Sequence, residues 1–158
     1  MEKIAVFPGS FDPFTVGHYS IVQRAKPLFN KIIISIGHNT SKKTYLTLEN
    51  RKRLIEDIFK DDPKIDVSHF EGLTVDFCHK MNAKYLLRGL RTAADFEYER
   101  AIGQVNKAMS PEIESVFLLT APEYTPVNST IVRDILMHGG DASKFLPPNV
   151  EIKKYLDK

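Results

Sequence analysis

Short apolar runs rich in β-branched and aromatic residues recur along the chain at 3–7, 32–36, 65–70, 85–87 and 115–119, and between them the apolar positions take up helical spacing. Such alternation argues for βαβ units and a parallel sheet. The fold expected is α/β: a Rossmann-like, doubly wound, five-stranded parallel sheet in a single domain over residues 1–158. Helices are expected over 18–29, over 48–59 with Thr47 as N-cap, over 75–81 with Thr74 as N-cap, over 93–109, and over 130–138 with Gly139-Gly140 as the stop. A last short helix is expected over 150–156. No repeat, low-complexity segment or long linker divides the chain.

Ligands of open α/β sheets bind beyond the carboxyl ends of the strands, near the point where strand order reverses. The unusual residues of this chain fall after the expected strands: Gly9 to His18, Gly37 to Lys43, Glu71 to Thr74, Arg88-Gly89-Leu90-Arg91, and Tyr124 to Thr130. In the first of these loops, Pro8 and Gly9 are expected to stop the strand, and a helix beginning near Val16 receives His18 at its start. Gly17 lets backbone and ligand approach without a Cβ, while the helix N-terminus offers free N–H groups and the positive end of a dipole. That is the outline of a phosphate site with a histidine beside the anion. After the fourth run, Arg88 and Arg91 flank Gly89 and place two guanidinium forks, suited to phosphate oxygens, at the sheet edge. The structural alternative for them is ion pairing with Asp95 or Glu99. Neither G-x-G-x-x-G nor the Walker A pattern occurs, which disfavours a nicotinamide dehydrogenase and a P-loop ATPase.

At 42% hydrophobic and 27% charged, the chain can bury a core able to support a ligand site. A net charge of +2, with 22 basic residues spread along the chain, argues against bulk nucleic-acid binding and makes any positive site local. The single cysteine, Cys78, allows no internal disulfide and reads as a small buried hydrophobe in a reducing compartment. No apolar stretch approaches membrane-spanning length and no signal-peptide core opens the chain, so the expected location is cytoplasmic. His38, His69, His79 and His138 lack ligand spacing and read as surface or packing residues.

Thr15-Val16-Gly17-His18 resembles the T/H-x-G-H signature of the nucleotidyltransferase superfamily. Residues 88–99 resemble the R-G-L-R-x-x-x-D-F-x-Y-E segment of the phosphopantetheine adenylyltransferase family, a more specific signature. The same family's P-G-[ST]-F-D-P-x-T-x-G-H is matched at 8–18, its S-K-K at Ser41-Lys42-Lys43, its E-S-V-F at Glu114-Ser115-Val116-Phe117 and its F-L-P at Phe145-Leu146-Pro147. The resemblance therefore covers essentially the whole chain. Two positions depart from it: Asn128-Ser129-Thr130 stands where the family has S-S-S, and Asp134 where a Glu is usual. Nicotinamide mononucleotide adenylyltransferases and glycerol-3-phosphate cytidylyltransferases share the opening motif, and a non-catalytic ATP-sensing module is the alternative from another class.

What the resemblance implies is transfer of AMP from ATP to 4′-phosphopantetheine, giving dephospho-coenzyme A and pyrophosphate, by in-line attack of the acceptor phosphate on the α-phosphorus. An ionised phosphate needs no general base, so the work left to the protein is positioning and charge stabilisation. By the same resemblance His18 stabilises the transition state, with Lys42 and Arg91 also catalytic. Gly9, Ser10, His18, Gly89, Leu90, Arg91, Glu99 and the loop Tyr124-Thr125-Pro126-Val127-Asn128-Ser129-Thr130 would hold ATP. Ser10, Lys42, Thr74 and Arg88 would hold phosphopantetheine. Mg²⁺ is expected to accompany ATP without a protein cage of its own. A homohexamer and feedback inhibition by coenzyme A complete the expectation, with neither nucleic acid nor membrane as partner.

Overall fold

A computed structural model describes residues 1–156 of the chain. Strands β1 (Ile4–Gly9), β2 (Lys31–Gly37), β3 (Ile65–Phe70), β4 (Tyr85–Leu90) and β5 (Glu114–Leu119) form one parallel sheet in the order β3-β2-β1-β4-β5. The order reverses at β1, so a crevice is expected above its carboxyl end. Helices α1 (Val16–Ala25), α2 (Leu48–Phe59), α3 (Thr74–Lys80) and α4 (Ala93–Met109) connect the strands, and α5 (Ser129–Met137) follows β5.

The central strands are apolar on both faces, as a parallel sheet covered on two sides requires. Ala5 and Phe7 of β1 join Ile32, Ile34 and Ile36 of β2 on one face, closed by Ile21 and Val22 of α1 and Leu54 and Ile55 of α2. Val6 and Ile33 face the other way, against Val75, Phe77 and Cys78 of α3. α4 lies on that second face, since Glu99 reaches Arg88 of β4 and a Cβ on Gly103 would stand 3.2 Å from Ser115 Oγ of β5. A third cluster, Val16, Val127, Val132, Ala142 and Leu146, anchors α5 beside the start of α1.

Several local expectations change. β1 continues through Pro8 and Gly9, paired to β2 as far as Gly9↔Ile36, whereas its ladder to β4 holds only Ala5↔Tyr85 and Val6↔Leu86. Beyond Val6 the sheet opens on the β4 side, so a proline without an N–H is accommodated, and Arg88 Nη1 donates to Pro8 O at 2.7 Å. The helix expected over 18–29 ends at Ala25: Lys26 keeps helical geometry, but Pro27 has no N–H to continue the i→i−4 ladder, and a 3₁₀ turn Lys26–Leu28 follows. Thr74 is the first helical residue of α3 and not its cap; Leu73 caps without a side-chain bond, after Gly72 at φ +86°. The segment expected as a helix over 150–156 forms a 3₁₀ turn, Ile152–Tyr155, pinned to α2 by Tyr155 Oη donating to Asp57 at 2.6 Å. Elsewhere the punctuation is as expected. Thr47 caps α2, and α5 ends in a Schellman motif with Gly139 N–H on Leu136 O and Gly140 N–H on Ile135 O.

Candidate active site

The turn from β1 into α1 builds the first wall of the crevice. Phe11 sits at φ +48° and Pro13 follows a cis peptide. Thr15 caps α1, and His18 closes the capping box: Thr15 N–H donates to His18 Nδ1 at 3.0 Å while His18 N–H donates to Thr15 Oγ1 at 3.4 Å. The usual glutamate of that box is thus replaced by an imidazole. An Nδ1 that accepts a hydrogen bond leaves the ring proton on Nε2. Phe11 and Phe14 pack on the ring at centroid distances of 5.0 and 5.3 Å. This burial, and secondly the Arg88 and Arg91 charges, pull the His18 pKa from 6.5 down to about 3. His18 therefore enters the site as a neutral donor. Packing does not demand glycine at position 17, where a Cβ would meet Thr15 Oγ1 at 3.5 Å and Tyr124 Cβ at 3.9 Å, ordinary contacts.

Opposite this wall both arginines adopt the ion pairs that sequence offers as the alternative, and the pairs aim them into the crevice. Arg88 Nε and Nη2 donate to the Glu99 carboxylate at 2.9 and 2.6 Å, and Glu99 is buried. With Nη1 on Pro8 O, three of its five N–H donors are held and one remains on each terminal nitrogen. Arg91 Nε lies 3.2 Å from Asp95 Oδ2 one helical turn on. The third wall is the loop after β2, where Asn39 organises a turn by accepting from Ser41 N–H and Oγ at 3.0 and 2.7 Å, leaving Lys42 exposed at its tip. The N-terminus of α5, capped by Asn128 Oδ1 accepting from Ile131 N–H, closes the fourth side.

These walls enclose a cavity of about 660 Å³. His18, Ser10, Lys42, Arg88, Arg91 and Asn128-Ser129-Thr130 all line it, as do Gly9, Gly89, Glu99 and Val127. Leu90 is buried behind the lining, and Tyr124, Thr125 and Pro126 stand outside it. Thr74 lines instead a second cavity of about 300 Å³ with Phe70, Leu86, Ile102 and Phe117. The two cavities share the rim Pro8, Gly9, Ser10, Gly37, Arg88 and Glu99. Against Asp12, Asp95 and Glu99, the larger one gathers Lys42, Lys43, Arg51, Arg88, Arg91 and Arg133. A nearly neutral chain thus concentrates positive charge where an anion would bind.

Among the lining residues that a reading of the sequence does not mark as ligand contacts are Thr15, Asp12, Arg51 and Arg133. Thr15 carries a legible signal, the three-residue spacing of a capping box to His18. Arg51, on α2, and Arg133, on α5, carry none, because they reach the Gly9–His18 turn from helices remote in sequence. Among the described residues, no group of three or more His, Cys, Asp or Glu side chains is arranged to hold a metal ion.

The cytidylyltransferase-like family model matches residues 6–135. A phosphopantetheine adenylyltransferase from Flavobacterium johnsoniae is 52% identical over 150 residues, covering 95% of this chain and 98% of that one. The chain belongs to the phosphopantetheine adenylyltransferase family. Members from Flavobacterium psychrophilum and Bacteroides thetaiotaomicron are 51% and 47% identical, each match covering 94% of this chain. A solved bifunctional NMN adenylyltransferase/ADP ribose pyrophosphatase from Francisella tularensis superposes with a TM-score of 0.71 at 20% identity, over 96% of this chain and 46% of that one, a likeness of fold. A phosphopantetheine adenylyltransferase is a nucleotidyltransferase of coenzyme A biosynthesis, and the chain is an enzyme of that type. No helix among its described residues is long and apolar enough to cross a membrane.

Proposed function

We propose that the chain transfers AMP from ATP to the phosphate of 4′-phosphopantetheine, releasing pyrophosphate. The observation that carries this reading is the pair of cavities joined at Arg88: a cationic one beside His18 and a smaller one walled by Phe70, Leu86, Ile102 and Phe117. A linear acceptor with one anionic end fits such a pair, its phosphate at Arg88 and Lys42 and its uncharged arm running past Thr74. ATP then occupies the His18 side, with its triphosphate between Arg91 and the α5 N-terminus.

In the transfer, an acceptor phosphate oxygen forms a bond to the α-phosphorus, and the bond from that phosphorus to the β-phosphate bridging oxygen breaks, with pyrophosphate leaving with the electron pair. The neutral His18 donates from Nε2 to an α-phosphate oxygen as charge builds there. Lys42 neutralises the incoming phosphate. Mg²⁺ enters as part of the ATP substrate, for each carboxylate lining the larger cavity is already engaged: Asp12 by backbone amides, Asp95 by Arg91, Glu99 by Arg88. Coenzyme A, which contains the acceptor's arm, would compete for the smaller cavity. A cytoplasmic location and a homohexamer belong to the same proposal.

Pyrophosphate release tests the reading. ATP with phosphopantetheine should give sustained turnover, while ATP with nicotinamide mononucleotide, or CTP with glycerol-3-phosphate, should give none. Turnover with either of those pairs alone would move the chain to another branch of the superfamily, and tight ATP binding without any turnover would make it a sensing module.

A further inference from the structure

Asp12 lines the larger cavity yet offers it no free carboxylate oxygen. The side chain is buried, with Oδ1 accepting from Leu46 N–H and Oδ2 from Tyr45 N–H, each at 2.8 Å. Those two amides belong to the loop that carries Lys42 at its tip, more than thirty residues from Asp12 in sequence. Beneath them Arg51, 2% exposed, donates from Nη1 to Ser10 O at 2.8 Å, and its Nε has no partner among the described residues. Burial lowers the Arg51 pKa and the nearby Asp12 charge raises it, so the carboxylate helps to hold this interior cation in its ionised form. From a third side Arg133 Nη1 donates to Asp12 O at 2.9 Å. The loop bearing Lys42 and two helices thus converge on the short turn Ser10–Asp12.

Resting on the adenylyl-transfer reading above, we propose that Asp12 is a positioning residue whose two-amide bridge locks the Lys42 loop to the Ser10–His18 turn. The groups meeting the acceptor phosphate and the α-phosphate then stand at a set spacing before either substrate arrives. A carboxylate that accepts with both oxygens is a rigid, charge-assisted strut, and a reacting group displaced by about 1 Å can lose on the order of 10²-fold in rate. Among the described residues, the exposed Lys42 ammonium has no hydrogen-bond or ion-pair partner to fix its place. The strut supplies the order that the exposed loop lacks.

A double-mutant cycle in the full chain tests the coupling. Asp12→Asn keeps one acceptor and sets an NH₂ group against the other amide. Alone it is expected to lower kcat by about tenfold or more and to raise the KM for phosphopantetheine, with the KM for ATP changed less than about twofold. In a Lys42→Ala background the same substitution should cost less than about twofold. Equal losses in both backgrounds would mean that Asp12 supports the fold without acting through Lys42, and would overturn the proposal. Amide exchange of the wild-type protein gives a reading that needs no variant to fold: Tyr45 and Leu46 should be protected like β1, and Lys43 should exchange freely. Rapid exchange at Tyr45 and Leu46 would sink the strut directly. Turnover by the wild-type chain tests the underlying reaction separately, and the exchange pattern reads the strut whatever that assay returns.

Discussion

Because burial, and secondly the Arg88 and Arg91 charges, disfavour the imidazolium, His18 has a folded-state pKa of about 3 against an ordinary 6.5. Between those values the unfolded chain binds a proton that the folded chain refuses. His18 should therefore cost stability progressively as pH falls through 6.5 toward 3, with its pH dependence fading out over about the first unit above 6.5. Ring resonances of the ligand-free protein should show no His18 titration from about pH 5 to about pH 8; a midpoint near the ordinary value would refute the neutral-donor assignment. His18→Ala is expected to lose on the order of 10²-fold in kcat while ATP affinity stays within a few-fold, since a donor aimed at developing charge acts on the transition state. Near-normal turnover would remove His18 from the mechanism. Lys42 and Arg91 should divide the substrates, with Lys42→Ala impairing phosphopantetheine use and sparing ATP binding, and Arg91→Ala weakening ATP binding. Calorimetric titration of each variant with each ligand checks this, and ATP affinity lost in Lys42→Ala would reverse the two sub-sites.

Among the elements, α2 and α4 start and stop where caps and periodicity put them, since Thr47 and Thr92 accept from the third backbone N–H of their helices. The shorter pieces went differently, for single-residue reasons: Pro27 cuts α1, and Gly72 turns the chain into α3 without help from Thr74. α3 presents Cys78 to the sheet, fully buried, and burial pushes its thiol pKa up to about 11. A thiol held protonated among Val6, Ile33 and Leu86 is packing material. Cys78→Ser should keep kcat within about twofold but lower unfolding stability by roughly 1–3 kcal/mol, because a hydroxyl replaces it in an apolar cluster. A well-folded, inactive variant would reveal thiol chemistry that the site described here does not use.

For the molecule as a whole, α4 leaves an apolar stripe uncovered. Tyr98, Ile102, Val105 and Met109 follow one another at helical spacing and are 69%, 38%, 58% and 48% exposed, with Leu119 of β5 at 72%. An exposed apolar stripe is what an interface between copies would bury, and the homohexamer proposed above would cover it. Val105→Asp should shift the sedimentation coefficient of the native assembly toward that of the monomer, and a coefficient unchanged from wild type would place any interface elsewhere. Alternating apolar runs, turn residues and caps, all readable within a dozen residues, by themselves determined the α/β sheet, the loops that carry the site and most of the motif from Pro8 to His18. What only the tertiary structure decided is how those loops meet: Arg88 bridging the gap where β1 and β4 part, Glu99 at the cavity wall clamping the Arg88 guanidinium, Thr74 lining the smaller cavity, and Arg51, Arg133 and the Asp12 bridge gathered around one turn. The physical reason is range. Hydrogen-bond spacing along a helix or strand is set by neighbours in sequence, whereas a buried charge finds its partner among residues that only the packed sheet and helices bring within 3 Å.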